Sequence, residues 1–119
     1  MRERVSLIVD DEPEIRAYLR LVLECKGIQS VEAENAAEAL RILQKLGSQI
    51  DLLITDIQMP GDMDGVDLAY SANSSFPTLP VILISGIVDK PSSGFTFVQK
   101  PFTPEAILEA VKKVISAKA

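Results

Sequence analysis

The sequence contains no histidine and no tryptophan, and it has a single cysteine, Cys25. Without histidine, the chain cannot use an imidazole as a catalytic base, as a metal ligand or as an internal carrier of phosphate. A lone cysteine cannot form a disulfide within the chain. Its place in an apolar helical pattern predicts a small buried side chain without a redox role.

Long apolar runs and clusters of positive charge are also missing. No run approaches the ~20 apolar residues of a membrane span, and the N-terminus lacks the pattern of a signal peptide, so a cytoplasmic location is expected. Lys and Arg number 12 against 17 Asp and Glu, which gives a net charge of −5. Without a basic cluster, a nucleic-acid-binding surface is not expected. The 119 residues, 47% hydrophobic, predict one globular domain over residues 1–119.

Short apolar runs alternate with amphipathic stretches along the whole chain. Helices are predicted after Pro13, after an Asn35–Glu38 capping box, from Gly65 to about Ala72, and after Thr103. The predicted strands are Val5–Val9, Ile28–Ala33, Leu52–Thr55, Val81–Ile84 and Thr96–Gln99. This alternation indicates an α/β fold in which a doubly wound, five-stranded parallel sheet is covered on both faces.

Polar residues with possible chemical roles stand at the ends of four predicted strands. They are Asp10 and Asp11 after the first, Asp56 after the third, Ser85 after the fourth and Lys100 after the fifth. Each alone is more typical of a turn, a helix cap or a solvated side chain. Together they indicate a site, because ligands of such sheets bind beyond the carboxyl ends of the strands. Clustered carboxylates without His or Cys favour a hard cation, and Mg²⁺ is the cation expected.

Four motifs in order carry a family resemblance: LIVDDEP (Leu7–Pro13), LLITDIQMPGDMDG (Leu52–Gly65), VILISG (Val81–Gly86) and FVQKPF (Phe97–Phe102). With them the chain resembles, over essentially its whole length, the receiver domains of two-component response regulators. The resemblance implies a flavodoxin-like fold with the strand order 2-1-3-4-5. It also implies Mg²⁺ or Mn²⁺ as cofactor.

The resemblance assigns roles to individual residues, and Lys100-Pro101 resembles the cis peptide of the family. Phe97 lacks a hydroxyl group, so it can signal only through packing. The implied roles are phosphorylation for Asp56, metal binding for Asp10, Asp11, Asp56 and Gln58 (through its backbone carbonyl), catalysis for Asp56, Ser85 and Lys100, and conformational switching for Ser85 and Phe97.

Two features depart from the family pattern. The loop after Asp56 is one residue longer than the common form and includes the additional acid Asp62. The stretch Gly86–Phe95, which contains Pro91, is too short for a full crossover helix, so the fourth helix is expected to be shortened or missing. That would leave a patch near Val81, Leu83 and Phe97 thinly covered. A non-standard homodimer or a partner is expected to dock there.

The leading hypothesis is a signalling switch that catalyses only its own phosphorylation and dephosphorylation, so it is not an enzyme in the usual sense. Its partners would be a histidine kinase or histidine phosphotransfer protein and an unknown downstream protein, without nucleic acid or membrane. The chain would be stand-alone or part of a larger protein such as a hybrid kinase. The alternatives are a pseudo-receiver that binds partners without phosphorylation and an aspartyl-nucleophile phosphohydrolase. The Glu12-Pro13 pair after Asp11 disfavours the hydrolase.

Overall fold

The computed structural model describes residues 3–86 and 94–118, with side chains up to Ser116. The described strands and helices follow one another in the predicted order, and a short 3-10 helix, Gly47–Gln49, precedes the third strand. The strands are β1 (Val5–Val9), β2 (Gln29–Ala33), β3 (Leu52–Asp56), β4 (Val81–Ser85) and β5 (Thr96–Gln99). The α-helices in the described ranges are α1 (Pro13–Glu24), α2 (Ala36–Leu46), α3 (Gly65–Ser75) and α4 (Pro104–Lys118).

The five strands form one parallel sheet in the order β2-β1-β3-β4-β5, which confirms the predicted fold class and strand order. The register aligns the strand ends, since Asp56 pairs with Ile84 and Ser85 pairs with Gln99. The chain leaves β1 toward β2 and then returns across β1 to β3. The strand order therefore reverses between β1 and β3, and a crevice is expected beyond their carboxyl ends.

Two apolar layers cover the sheet because alternate strand residues point to opposite faces. Leu7, Leu53 and Leu83 pack on one side in a cluster with residues of α2 and α3. Ile8, Ile54 and Ile82 pack on the other side with residues of α1 and α4. Burial on both faces explains why the central strands are nearly continuous apolar runs. In the described part of the chain, no helix is both long enough and apolar enough to cross a membrane.

Side-chain caps fix the starts of α2 and α3. Asn35 accepts a hydrogen bond from the Glu38 amide at 2.8 Å, as predicted, but the Glu38 carboxylate accepts from the Glu34 amide at 3.1 Å. In the predicted capping box, the Glu38 carboxylate would accept from the Asn35 amide. It accepts from the amide one residue earlier instead, so only one half of the predicted box is formed. A complete box begins α3, where Asp64 and Asp67 each accept from the other's backbone amide.

Two sequence-based predictions about burial are wrong. Cys25 is exposed, because α1 ends there and the helical periodicity no longer directs the side chain to the core. Val81 and Leu83 are 4% and 0% exposed, so they do not form a thinly covered patch. They share the apolar cluster of α2 and α3, and α3 packs against β4. Phe97 is half-buried against the same cluster.

The predicted shortening or loss of the fourth helix concerns the connection between β4 and β5. Within it, residues 87–93 lie outside the described residues. The flanking residues Gly86, Gly94 and Phe95 form bends, and β5 begins at Thr96.

Candidate functional site

Three carboxylates meet at the crevice between the ends of β1 and β3. Asp10 and Asp11 directly follow β1, and Asp56 is the last residue of β3. One oxygen of each carboxylate lies within 4.8 Å of the other two. Asp10 and Asp56 are buried, at 1% and 5% exposure, while Asp11 is exposed. The structure thus brings together the three acids that the sequence predicted, with one of them facing solvent.

Lys100 reaches these acids from the end of β5. Its Nζ lies 3.0 Å from Asp10 Oδ2, 3.4 Å from Asp56 Oδ1 and 3.5 Å from Glu12 Oε1. The backbone of Lys100 is fixed by a 2.8 Å hydrogen bond from its amide to the Ser85 carbonyl. The Lys100-Pro101 peptide is cis, as the resemblance implied. A single ammonium group therefore lies between the two buried carboxylates.

Asp10 is held at four points. Its Oδ1 accepts from the Glu12 amide at 2.9 Å and its Oδ2 accepts from Lys100 at 3.0 Å. Its own amide donates to the Ala33 carbonyl at 3.1 Å, and its carbonyl accepts from Arg16 Nη1 at 2.7 Å. Both carboxylate oxygens of Asp10 thus have a hydrogen-bond partner within the chain.

The electrostatic environment shifts the pKa values of Asp56 and Lys100. Burial and the charge of Asp10 raise the pKa of Asp56 from 3.8 to about 6, although the nearby Lys100 opposes this shift. Burial lowers the pKa of Lys100, but its hydrogen bond with Asp10 and the charges of Asp10 and Asp56 raise the pKa overall. Asp56 therefore lies in a site whose negative charge is incompletely balanced, which a cation could relieve.

The raised pKa of Asp56 predicts how the free energy of unfolding depends on pH in the absence of metal. Between about pH 4 and pH 6 the folded state binds more protons than the unfolded state, so the ionisation of Asp56 destabilises the fold increasingly as the pH rises. Asp56→Asn should therefore raise the free energy of unfolding by about 1–2 kcal/mol near pH 7.5. The gain should disappear below about pH 4. Urea denaturation in EDTA near pH 7.5 and below about pH 4 measures the gain in the free energy of unfolding at each pH. An equal gain at the two pH values would contradict the raised pKa of Asp56.

The remaining predicted site residues are Ser85, Gln58 and Phe97. Ser85 is buried at the end of β4, one residue beyond the partner of Asp56 in the sheet register. Gln58 is exposed in the loop two residues after Asp56. Phe97 lies in β5 opposite Leu83, on the face covered by α2 and α3. Ser85 and Phe97 are thus on neighbouring strands.

Sequence reasoning missed the residues that hold the backbone of Asp56. Thr55 Oγ1 donates to the Asp56 carbonyl at 2.9 Å, and the Ile57 amide donates to the Ile84 carbonyl at 2.9 Å. The Gly65 amide donates to the Ile57 carbonyl at 2.8 Å. A Cβ on Gly65 would lie only 2.0 Å from the Asp56 carbonyl oxygen. The only sequence signal was glycine at the start of a helix, which does not show a close backbone approach.

Comparison with known proteins identifies the family. The sequence pattern of the response regulator receiver domain matches residues 6–112. The chain belongs to this family. The receiver domain of the hybrid histidine kinase CckA has a similar structure, with 36% identity, a TM-score of 0.82 and coverage of 93% of this chain and 98% of that one. A receiver protein from Sinorhizobium medicae WSM419 has 25% identity and a TM-score of 0.90, covering 99% and 98% of the two chains.

Curated relatives are much longer than this receiver domain. The sensor kinase CckA of Brucella abortus is 29% identical over 116 residues, which are 92% of this chain and 12% of that protein. The DNA-binding transcriptional regulator NtrC of Escherichia coli K12 is 32% identical over 124 residues, covering 98% and 26% respectively. The chain thus spans only 12% and 26% of the length of these two relatives. What the comparisons establish is a receiver domain of two-component signalling, a family that is not made up of classical enzymes.

Proposed function

We propose that Asp56 accepts a phosphoryl group from a phosphohistidine of a histidine kinase or a histidine phosphotransfer protein, and that residues 1–119 form one such receiver domain. The observation that carries this proposal is the contact of the buried Asp56 carboxylate with Lys100 beside two further acids. A buried carboxylate with one cation at a strand end can act as a nucleophile toward an anionic group, provided that the added charge is neutralised.

In the transfer, a carboxylate oxygen of Asp56 attacks phosphorus while the bond from phosphorus to the donor imidazole nitrogen breaks. The electron pair of that bond returns to the imidazole, and the product on this chain is an acyl phosphate. Lys100 can exchange its contact with Asp56 for one with a phosphoryl oxygen. The Ser85 hydroxyl can donate to a second phosphoryl oxygen. Both groups then stabilise the charge spread over the transferred phosphoryl group.

The acidic cluster fits a hard divalent cation. Asp10, Asp11 and Asp56 offer oxygen ligands only, which suits Mg²⁺ or Mn²⁺, and Gln58 would add a backbone carbonyl. Asp11 and Asp56 would hold the ion directly, while Asp10 would act through water because both its oxygens already accept hydrogen bonds. When bound, such an ion would supply positive charge that offsets the charge of the acids and of the phosphoryl group.

The signal would pass from the site to a protein partner through Ser85 and Phe97. A hydrogen bond from Ser85 to the phosphoryl group would shift the end of β4, and the half-buried Phe97 on the neighbouring β5 would repack. Val81 and Leu83 are buried, so they offer no exposed patch on which a homodimer or a partner could dock. A downstream protein partner would instead respond to the changed packing of Phe97.

Intact-mass spectrometry after incubation with acetyl phosphate and Mg²⁺ tests the proposal. We expect a stable gain of one phosphoryl group in the presence of Mg²⁺ and no gain when EDTA replaces Mg²⁺. Turnover of acetyl phosphate without an adduct would instead support a phosphohydrolase. Neither turnover nor an adduct would support a phosphorylation-independent interaction domain.

The metal site predicts a stabilisation by Mg²⁺. A ligand that binds only the folded state stabilises it by mass action, so an excess of Mg²⁺ over a weak site should add about 1–2 kcal/mol. Thermal melts with Mg²⁺ and with EDTA should therefore differ for the wild type. The difference should be lost in Asp11→Asn and retained in Asp62→Asn, which removes an exposed loop acid. Equal melting temperatures of the wild type with and without Mg²⁺ would exclude the site.

A further inference from the structure

We propose that Arg16 is a positioning residue of the acidic site, which fixes the peptide between Asp10 and Asp11 and thereby sets the affinity for the divalent cation. This inference rests on the proposed function, because it assigns Asp11 to the metal site. Arg16 lies in α1, near the end of β1, with a largely buried side chain that is 16% exposed.

The guanidinium group of Arg16 connects the acidic loop to the edge of the sheet. Nη1 donates to the Asp10 carbonyl at 2.7 Å, and Nε donates to Glu32 Oε1 at 3.0 Å. Glu32 belongs to β2, the edge strand beside β1. One planar group thus joins α1, β2 and the loop that carries two of the three site acids.

Glu32 is itself held by a second arginine. Its Oε2 accepts from Arg20 Nη1 at 2.7 Å, one helical turn further along α1. The two carboxylate oxygens of Glu32 therefore bind two different arginines, and Arg16 in addition donates to the Asp10 carbonyl. Arg20 is more exposed, at 42%, and its bonds in this network go to Glu32 and, at 3.9 Å, to Glu24.

The hydrogen bond from Arg16 matters for the metal site because of the atom that accepts it. The Asp10 carbonyl belongs to the peptide that leads directly into Asp11, so its orientation sets the direction of the Asp11 backbone. Asp11 is exposed, whereas Asp10 is held through its amide and both carboxylate oxygens. Without Arg16, this peptide could rotate to bring its carbonyl to water, and the Asp11 carboxylate would move away from Asp56.

A purely structural salt bridge would behave differently. Both arginines bind Glu32, so loss of either would then lower the stability without changing metal binding. Arg20→Ala is therefore the matched control, since it removes a Glu32 partner and leaves the bond to Asp10. Arg16→Lys keeps the positive charge but loses the fork that reaches Asp10 and Glu32 together.

Titration with Mn²⁺, with the free ion measured by electron paramagnetic resonance, distinguishes a positioning role of Arg16 from a purely structural one. We expect Arg16→Ala and Arg16→Lys to weaken Mn²⁺ binding by about tenfold, the scale of a lost outer-shell partner. Arg20→Ala should bind as the wild type does. The phosphorylation of the Arg16 variants by acetyl phosphate should be restored by raising the Mg²⁺ concentration, because the defect is in affinity. In metal-free NMR spectra, the Asp11 amide should shift in Arg16→Lys and not in Arg20→Ala.

The outcomes distinguish this inference from the function on which it rests. Wild-type Mn²⁺ affinity in the folded Arg16→Lys variant, with an unshifted Asp11 amide, would overturn the role of Arg16 while leaving the metal site intact. Equal weakening in Arg16→Lys and Arg20→Ala would also overturn it, since Glu32 alone would then be responsible. A wild-type protein that binds no Mn²⁺ would overturn the metal site and the inference together.

Discussion

Asp56→Asn should abolish the incorporation of phosphate from acetyl phosphate in the presence of Mg²⁺. The amide of asparagine lacks an anionic oxygen that can attack phosphorus. Asp10 is a poor replacement because the Glu12 amide and Lys100 engage both its oxygens, and the proposed metal site assigns Asp11 to the cation. Intact-mass spectrometry should show the phosphoryl adduct in the wild type and none in the variant.

The control for this prediction is Asp62→Asn, which neutralises an exposed acid in the loop after β3 and should leave the adduct unchanged. The fold of Asp56→Asn should be retained, because neutralising a buried carboxylate with a raised pKa relieves repulsion and opens no cavity. A variant with wild-type circular dichroism and the wild-type adduct would refute the assignment of Asp56. Peptide mapping of that adduct would then locate the true acceptor.

The sheet and the convergence of the acids were predictable from the sequence for one physical reason. Buried parallel strands are short apolar runs, and in this sequence polar residues follow the carboxyl ends of these runs. Because all parallel strands end at the same edge, the placement of Asp10, Asp56 and Lys100 at one site follows from the order of the elements. Their contacts in the structure agree with that expectation.

Other features depend on where elements end and on what packs over them. The periodicity of α1 did not show that the helix stops before Cys25, which is exposed. The expectation that Val81 and Leu83 are exposed assumes that the fourth helix is the main element that covers them. In the structure α3 continues to Ser75 and packs against β4, which buries both residues. Arg16 and Glu32 are 16 residues apart on two different elements, so no local pattern indicated that they pair.

Gly65 is the clearest case of a residue whose role only the packing shows. The sequence indicates a helix start there, and alanine is the better helix former by about 1 kcal/mol. From propensity alone, Gly65→Ala should therefore stabilise α3. The structure predicts the opposite sign, because the N-terminus of α3 lies directly against the end of β3.

Gly65→Ala should lower the free energy of unfolding by about 1–3 kcal/mol or more, the cost of overpacking a rigid interior. The new Cβ would meet the Asp56 carbonyl oxygen at 2.0 Å and the Ile57 Cα at 2.8 Å. These are backbone atoms tied into β3, so relief requires α3 to move away or the Asp56 peptide to rotate. Either movement should also slow phosphorylation.

Gly86→Ala is the matched control for this variant, since nothing lies within 4 Å of the position that its Cβ would take. Urea denaturation of the two variants measures the effect, and only Gly65→Ala should lose stability. A Gly65→Ala protein as stable as the wild type would mean that α3 can withdraw from β3 at little cost. The position of the Asp56 backbone would then not depend on the close approach of this helix.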